Sequence, residues 1–248
     1  MITIKSQREI KLMRTAGRVV AEVLALMQEA VRPGITTAEL DKMAENYIRK
    51  ADCKPAFLGY HGFPATICAS INEEVVHGIP SLRRLQEGDI ISIDVGAIYQ
   101  GYYSDAAMTF PVGEVEPEVL RLLDVTRQSL YEGIKQAVKG NRLTDISHAV
   151  QTYVEKNGFA VVRNYVGHGI GNQMHEEPQV PNFGPPGRGP KLEPGMALAI
   201  EPMVNMGTWQ VETLQDNWTV VTLDRKWSAH FEHTIVITED APMILTEL

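Results

Sequence analysis

The order of predicted secondary structure repeats once along the chain, and this repeat limits the fold more than any other feature of the sequence. Apolar side chains recur at helical spacing over two pairs of segments, and each pair is followed by β-branched and aromatic residues with turn signals. The predicted elements are helices over residues 6–31 and about 36–50, strands over about 65–112, helices over about 117–138 and 144–157, and strands from residue 160 onward. The order is therefore helix, helix, strands, twice.

The two halves can be aligned without a gap by setting Gly34 against Gly140. Each glycine comes just before a second helix, and Thr36 with Glu39 forms a capping-box pattern at the first of these. In this alignment Tyr47 faces Tyr153. The repeat predicts an α+β architecture of two similar halves around one central sheet, and residues 1–248 are interpreted as a single domain because no long linker separates the halves.

Composition and charge exclude several functional classes. The chain has 248 residues, of which 44% are hydrophobic and 22% are charged, which is typical of a globular protein. The formal net charge of −8 disfavours broad attraction to nucleic acid or to an anionic membrane. The first residues lack a signal-peptide pattern, and the two cysteines, Cys53 and Cys68, are too few for a disulfide framework. We therefore expect a cytoplasmic protein, and a monomer because no helix carries a sustained heptad pattern.

Two aspartates stand in strand-like sequence within residues 88–113. If the turn of this hairpin centres on Tyr99 and Gln100, Asp94 and Asp105 lie directly opposite each other, with Cβ atoms about 5 Å apart; a bulge would shift the register by one residue. Both have apolar neighbours, although aspartate is a poor strand residue. The alternatives are a solvated sheet face, one protonated carboxyl group, or a divalent metal ion held between the two carboxylates.

Three further residues favour the metal interpretation. His168 lies between glycines in Gly-His-Gly, and Glu201 and Glu232 each lie in an apolar, strand-like run. Taken singly, such a histidine is more often structural and such a glutamate is often a partly exposed edge residue. Together with the two aspartates they form a set of one imidazole and four carboxylates, which suits two Mn, Fe, Co or Zn ions.

These five residues and their contexts resemble the methionine aminopeptidase family of the pita-bread fold. The resemblance covers essentially the whole chain, and its motifs are IDVG followed by YYSD, then GHGIG, AIEP and EHTI. It implies two pseudo-symmetric helix-helix-strand halves around a central curved antiparallel sheet. The length resembles the bacterial-style type I enzymes, without the extra N-terminal domain of the proline-specific relatives.

The resemblance also implies a role for each candidate residue. Asp94 would bind one metal ion, Asp105 and Glu232 would bridge both ions, and His168 and Glu201 would complete the site. Glu201 would also act as the general base. His77 would hydrogen-bond the substrate near the scissile amide and His175 would stabilise the carbonyl oxygen, whereas the residues alone indicate only a loop histidine at 77 and leave the role of His175 open.

The family places its methionine pocket and a monovalent cation site at further positions of this sequence. The pocket positions are Tyr60, Phe63, Cys68, Met174 and Trp218. As bare sequence features these would be core residues, and Phe57, Phe63 and Met174 differ from the residues that relatives often have there. Asn72 and Ser228 resemble backbone contributors to a sodium or potassium site. The partners implied are the N-termini of nascent polypeptides, with ribosome association.

Two other functions remain open from the sequence. A proline-directed dipeptidase or aminopeptidase could use the same metal ligands, and the residues Tyr60, Phe63 and Cys68 weigh against it. A non-catalytic binding module would keep the fold and lose the metal ligands, whereas this chain retains all five ligand positions and both histidines.

Overall fold

Four α-helices follow the predicted order in the computed structural model, which describes residues 1–248. They are α1 (Gln7–Ala30), α2 (Thr37–Lys50), α3 (Pro117–Gln136) and α4 (Leu143–Lys156). Every bound lies within two residues of the prediction, because the signals that begin and end helices are local. Ser6 and Glu9 form a capping box at α1, as Thr36 and Glu39 do at α2.

Fifteen short strands make up the rest of the regular structure, together with one turn of 3₁₀ helix at Tyr60–Gly62. They are β1 (Lys54–Pro55), β2 (Ile67–Ile71), β3 (Glu74–Val76), β4 (Ile90–Tyr99), β5 (Tyr102–Pro111), β6 (Ala160–Val161), β7 (Gly167–Gly169), β8 (Glu176–Val180), β9 (Ala197–Ile200), β10 (Met203–Asn205), β11 (Val211–Thr213), β12 (Val220–Thr222), β13 (Ser228–His230), β14 (His233–Val236) and β15 (Met243–Ile244). All pairings are antiparallel.

The predicted central sheet is divided into four hydrogen-bonded parts. Two of them matter most for the site: a four-stranded sheet in which β4 pairs with β1, β2 and β5, and a five-stranded sheet in the order β15-β14-β9-β7-β8. The other two are three-stranded sheets with the strand orders β13-β10-β6 and β11-β12-β3. The four-stranded sheet belongs to the first half of the repeat and the five-stranded sheet to the second.

The internal repeat is visible in backbone geometry. Gly34 and Gly140 adopt nearly the same left-handed conformation, with φ of 90° and 91°, which residues with a Cβ rarely adopt. The Gly34 N–H donates to the Leu85 carbonyl at 2.8 Å, and the Gly140 N–H donates to the Leu192 carbonyl at 3.0 Å. Equivalent turns therefore precede α2 and α4, as the alignment of the two glycines predicts.

Each half buries its own hydrophobic core. One cluster of 23 buried residues joins α1 and α2 to β2, β4 and β5, and a second cluster of 23 joins α3 and α4 to the strands of the second half. Since the two clusters are equal in size, neither half is an appendage of the other. No helix of the chain is both long enough and apolar enough to cross a bilayer.

The predicted register of the β4–β5 hairpin is wrong by two positions. Asp94 pairs with Ala107, and Asp105 pairs with Gly96. The two-residue turn is Gln100-Gly101, where φ is 47° and 86°, because a tight hairpin turn of this type needs positive φ at both positions and glycine tolerates it best. A shift of two keeps each side chain on its original face, so the aspartates are diagonal neighbours on one face instead of a directly opposed pair.

Candidate metal centre

The first two acids of the site come from the β4–β5 hairpin. Asp105 is 2% exposed, and the Thr234 hydroxyl donates to its Oδ1 at 2.9 Å. The Oδ1 atom of Asp94 is buried and has no hydrogen-bond partner. A buried carboxylate oxygen without a partner is costly, so this atom requires a proton or a cation.

The second half supplies the remaining donors at strand ends. His168 lies in β7, Glu201 follows the last residue of β9, and Glu232 lies in the connection between β13 and β14. Glu201 leaves the strand because Pro202 has no N–H to continue the ladder. The expectation that both glutamates lie inside strands is therefore corrected. The Glu232 N–H donates to the Ala107 carbonyl of β5 at 2.9 Å, which holds this connection against the hairpin.

The internal repeat explains why acids from distant segments meet. Asp94 and Glu201 are separated by the same number of residues as Leu85 and Leu192, the two carbonyl partners of the repeated turns, so they occupy equivalent positions in the two halves. Asp94 lies in β4 and Glu201 directly follows β9, and both strands are interior strands of their respective sheets. The site thus forms where the two halves face each other.

The donor atoms converge on a small volume. Ligand atoms of Asp105, His168 and Glu232 all lie within 4.8 Å of one another. His168 Nε2 is 3.5 Å from Asp105 Oδ2 and 3.6 Å from Glu201 Oε1. Its Nδ1 contacts the Gly169 carbonyl at 2.9 Å, which leaves Nε2 facing the acids. The structure therefore brings together Asp105, His168, Glu201 and Glu232, with Asp94 beside them in the same cavity.

The electrostatics of the acids show how strongly the site favours positive charge. Burial, with the nearby charge of Asp105, raises the pKa of Asp94 and of Glu232 well above the ordinary range. Burial, with the charge of Asp105, raises the pKa of Glu201 to about 8. Burial alone would lower the pKa of His168, but the hydrogen bond and charge of Asp105 and the charge of Glu201 raise it to about 9. Without a cation, the site retains protons at neutral pH.

The residues fit divalent metal ions. Four carboxylates and one imidazole are a donor set that suits Mn, Fe, Co or Zn, and a cation would partner the orphaned Asp94 oxygen and replace the retained protons. The Thr234 hydroxyl and the Gly169 carbonyl orient two of the donors. The metal interpretation is favoured over a solvated sheet face because Asp105, Glu232 and His168 are all buried.

A cavity of about 230 Å³ opens beside these acids. Its apolar side is the predicted methionine pocket, and Phe63 packs edge-to-face on Trp218 with ring centroids 5.1 Å apart. The residues that line the cavity besides the five metal-site candidates are Phe57, Tyr60, His61, Phe63, Cys68, His77, Met174, His175 and Trp218. The pocket residues proposed from the sequence therefore all lie at one cavity.

The two additional histidines lie at the same cavity. His77 has φ of 60° directly after β3 and lies edge-on to Tyr165, with ring centroids 5.6 Å apart. Loss of hydration lowers the pKa of His77, and it lowers the pKa of His175 to about 4 although that residue as a whole is exposed. Both rings are therefore neutral near pH 7. The ring of His175 lies against His168 at a centroid distance of 4.3 Å.

Asn72 and Ser228 are also adjacent, since the Ser228 N–H donates to the Asn72 carbonyl at 2.9 Å. Sequence reasoning missed two residues, His61 and His230. His61 lines the cavity next to Tyr60, and His230 Nε2 is buried 3.8 Å from Glu201 Oε2. The alternation of side chains in strands could have indicated His230, which stands two residues before Glu232, whereas no local signal indicates His61.

Comparison with known proteins identifies the family. A model of metallopeptidase family M24 matches residues 11–239. This chain belongs to metallopeptidase family M24. Members of this family are metallopeptidases, which agrees with the divalent metal binding expected from the buried acids and His168.

Relatives of this M24 chain carry a more specific name. It is 58% identical to a methionine aminopeptidase of Clostridium acetobutylicum over 99% of both chains, and 56% identical to methionine aminopeptidase 1 of Bacillus subtilis over 100% of both chains. The crystal structure of methionine aminopeptidase from Thermotoga maritima superposes with a TM-score of 0.99 at 48% identity and full coverage of both chains. The resemblance stated from the sequence, and the pita-bread fold it implies, are confirmed.

The M24 fold also includes proline-directed enzymes. The prolidase of Pyrococcus horikoshii superposes with a TM-score of 0.77 at 21% identity, covering 98% of this chain and 63% of that one. At this identity the comparison shows a shared fold alone. The fold therefore does not separate the two kinds of peptidase, and the choice between them depends on the pocket and on the high-identity relatives.

Proposed function

We propose that this chain removes the N-terminal methionine from nascent polypeptides whose second residue is small, using two divalent metal ions. The observation that carries the proposal is the position of the buried acid cluster at one side of a small cavity whose other side is apolar. Soft and aromatic side chains such as Met174, Phe63 and Trp218 suit the flexible thioether of methionine. The names of the high-identity relatives support the same substrate.

Charge balance supports two ions rather than one. Four ionised carboxylates, of which Asp105 and Glu232 are buried, carry four negative charges, and two divalent cations would neutralise them with a neutral His168 imidazole. Asp105 and Glu232 would be shared by the two ions, Asp94 would hold one of them, and His168 with Glu201 would hold the other. Co, Mn, Fe and Zn all suit these donors. A sodium or potassium ion at Asn72 and Ser228 is part of the same proposal.

Each catalytic residue has a distinct task in the proposed reaction. When bound, the divalent ions supply Lewis acidity, a water of lowered pKa and a ligand position for the free α-amino group. Glu201 accepts the proton of the attacking water and passes it to the leaving amine. His175, neutral near pH 7, donates a hydrogen bond to the carbonyl oxygen as negative charge develops on it, and His77 hydrogen-bonds the scissile amide. The pocket around Phe63 and Trp218 orients the methionine side chain and excludes water.

We further propose that residues 1–248 act as one catalytic domain, as a monomer in the cytoplasm, on N-termini emerging from the ribosome. The active unit needs only groups contributed by this chain, since every residue proposed to hold the divalent ions or the methionine side chain lines one cavity of it.

The test is release of free methionine from Met-Ala-Ser by protein that has been stripped with chelator and then supplied with Mn, Co or Fe. We expect restored activity, with Glu201→Gln and His175→Ala each lowering kcat by about 10²–10³-fold. Glu212→Gln is the matched control, because Glu212 lies in β11 and pairs with Arg225 at 2.6 Å, away from the cavity.

Two outcomes would contradict the proposal. Preferential cleavage of Xaa-Pro peptides over Met-Ala-Ser would favour the proline-directed alternative. No release from either substrate with any metal, from protein that remains folded, would favour a non-catalytic binding module.

A further inference from the structure

The environment of His175 contains a contact that the proposed roles do not use. The hydroxyl of Tyr60 lies 2.7 Å from His175 Nδ1, and both residues line the cavity. This is a short distance for a hydrogen bond between a hydroxyl group and a ring nitrogen. The two residues are 115 positions apart in sequence, so the contact depends on tertiary structure.

The backbone around Tyr60 forms a tight, closed loop. Gly59 and Gly62 have φ of 84° and 89°, and His61 has φ of 48°, which is uncommon for a residue with a Cβ. The Gly59 N–H donates to the Phe63 carbonyl at 2.8 Å, which closes a tight loop around Tyr60. Non-glycine residues in such conformations persist where the surrounding structure holds them, and they concentrate at functional sites.

We propose that Tyr60 is a positioning residue that sets the tautomer of His175 by donating its hydroxyl proton to Nδ1, so that the ring proton lies on Nε2. This inference rests on the proposed function, in which His175 must donate a hydrogen bond to the carbonyl oxygen of the substrate. A neutral imidazole carries one proton, so a ring that accepts at Nδ1 is obliged to donate from Nε2.

The opposite arrangement is disfavoured by the partners available. If His175 donated from Nδ1 to the phenol oxygen, Nε2 would carry a lone pair and would repel a developing oxyanion. The Tyr60 proton would then have no acceptor within the protein, since the hydroxyl makes no other hydrogen bond to a protein group. Burial raises the pKa of Tyr60, so the phenol keeps its proton and remains available as a donor.

The arrangement gives Tyr60 a function beyond lining the pocket. The ring contributes apolar surface for the methionine side chain, whereas the hydroxyl acts through His175. Removing the hydroxyl alone should therefore lower kcat, because the oxyanion forms only in the transition state, and should leave KM nearly unchanged.

The first arm of the test needs no turnover. Long-range proton–nitrogen NMR correlations of the His175 ring are recorded on ¹⁵N-labelled, zinc-loaded wild type and Tyr60→Phe. We expect protonated Nε2 and unprotonated Nδ1 in the wild type, and a mixture of tautomers in the variant. A protonated Nδ1 in the wild type overturns the proposal. Because this measurement is independent of catalysis, it separates failure of this inference from failure of the proposed function.

The second arm is a double-mutant cycle on methionine release from Met-Ala-Ser by the metal-loaded enzyme. Tyr60→Phe should lower kcat about tenfold in the wild type, as expected for one oriented hydrogen bond, and less than about twofold in a His175→Ala background. Tyr47→Phe is the matched control, because its hydroxyl bonds Glu22 at 3.2 Å on the helical surface. An equal loss in both backgrounds, or no loss in the wild type, overturns the proposal.

Discussion

The Thr234 hydroxyl connects the proposed metal site to the last strand pair, and its removal should weaken both folding and metal binding. The hydroxyl shares its one proton between two acceptors, Asp105 Oδ1 at 2.9 Å and the Asp105 carbonyl at 2.8 Å, and it accepts from the Asp105 N–H at 3.1 Å. Thr234 is fully buried. Thr234→Val keeps the shape of the side chain and removes all three contacts.

The magnitude follows from these contacts. Leaving a buried N–H without its acceptor costs about 1–3 kcal/mol, and losing a hydrogen bond to a charged group costs a similar amount. We expect the free energy of unfolding to fall by about 3 kcal/mol, which lowers the melting temperature by roughly 6–12 °C in a chain of this size. Metal affinity should fall by about 10–100-fold, because the hydroxyl orients a proposed bridging carboxylate.

The assay is urea unfolding and thermal melting of metal-free protein, with isothermal titration of Mn into the same samples. Thr234→Ser is the matched control, since it keeps the hydroxyl and loses one methyl group, at a cost of about 1 kcal/mol. If Thr234→Ser is destabilised as much as Thr234→Val, the methyl group is responsible and the hydrogen-bond argument is refuted. Unchanged Mn affinity in Thr234→Val would separately refute the orienting role.

Three further predictions concern protonation, the repeat and the N-terminal segment. In metal-free protein the pKa values of Glu201 and His168 are raised from 4.5 and 6.5 to about 8 and 9, so the folded state binds more protons than the unfolded state between these limits. The contribution of these two groups to the free energy of unfolding should therefore fall as pH rises from about 4.5 to 9, which urea unfolding of wild type and Glu201→Gln across this range would detect. Mn binding at pH 7 should release protons, which calorimetric titrations in buffers of different ionisation enthalpy would detect. Mn binding without proton release would contradict this prediction. Gly34→Ala and Gly140→Ala should each lower the free energy of unfolding by about 1–2 kcal/mol. Both positions have positive φ, and since nothing lies within 4 Å of an added Cβ, backbone strain is the only expected cost. Clearly unequal urea midpoints for the two variants would show that backbone strain is not the shared cause. Lys5→Met should lower the free energy of unfolding by about 3–5 kcal/mol, because it removes the ion-pair partner that lies 2.6 Å from the Glu176 carboxylate, whose side chain is largely buried. Lys139→Met breaks an exposed pair and should lower it by less than about 1 kcal/mol. Equal shifts in melting temperature for the two variants would refute this distinction.

Much of the fold could be predicted from the sequence because its signals are local. Helix bounds depend on capping residues and on glycines such as Gly34 and Gly140, which act within a few residues of where they stand. The repeat order depends on hydrophobic periodicity, which is also a local property. The candidate metal-binding acids could also be found from local sequence, because aspartate and glutamate are uncommon within apolar, strand-like runs.

Tertiary structure decided which of these residues act together. The sequence could not place the hairpin turn at Gln100-Gly101 in place of Tyr99-Gln100, because the register depends on positive φ at two positions and on pairing along the whole of β4 and β5. The contact between Tyr60 and His175 and the proximity of His230 to Glu201 join segments far apart in the chain. Local residue patterns determine elements and candidate donors, whereas distances between donors depend on how two separately packed halves face each other, and this is settled only when both cores form.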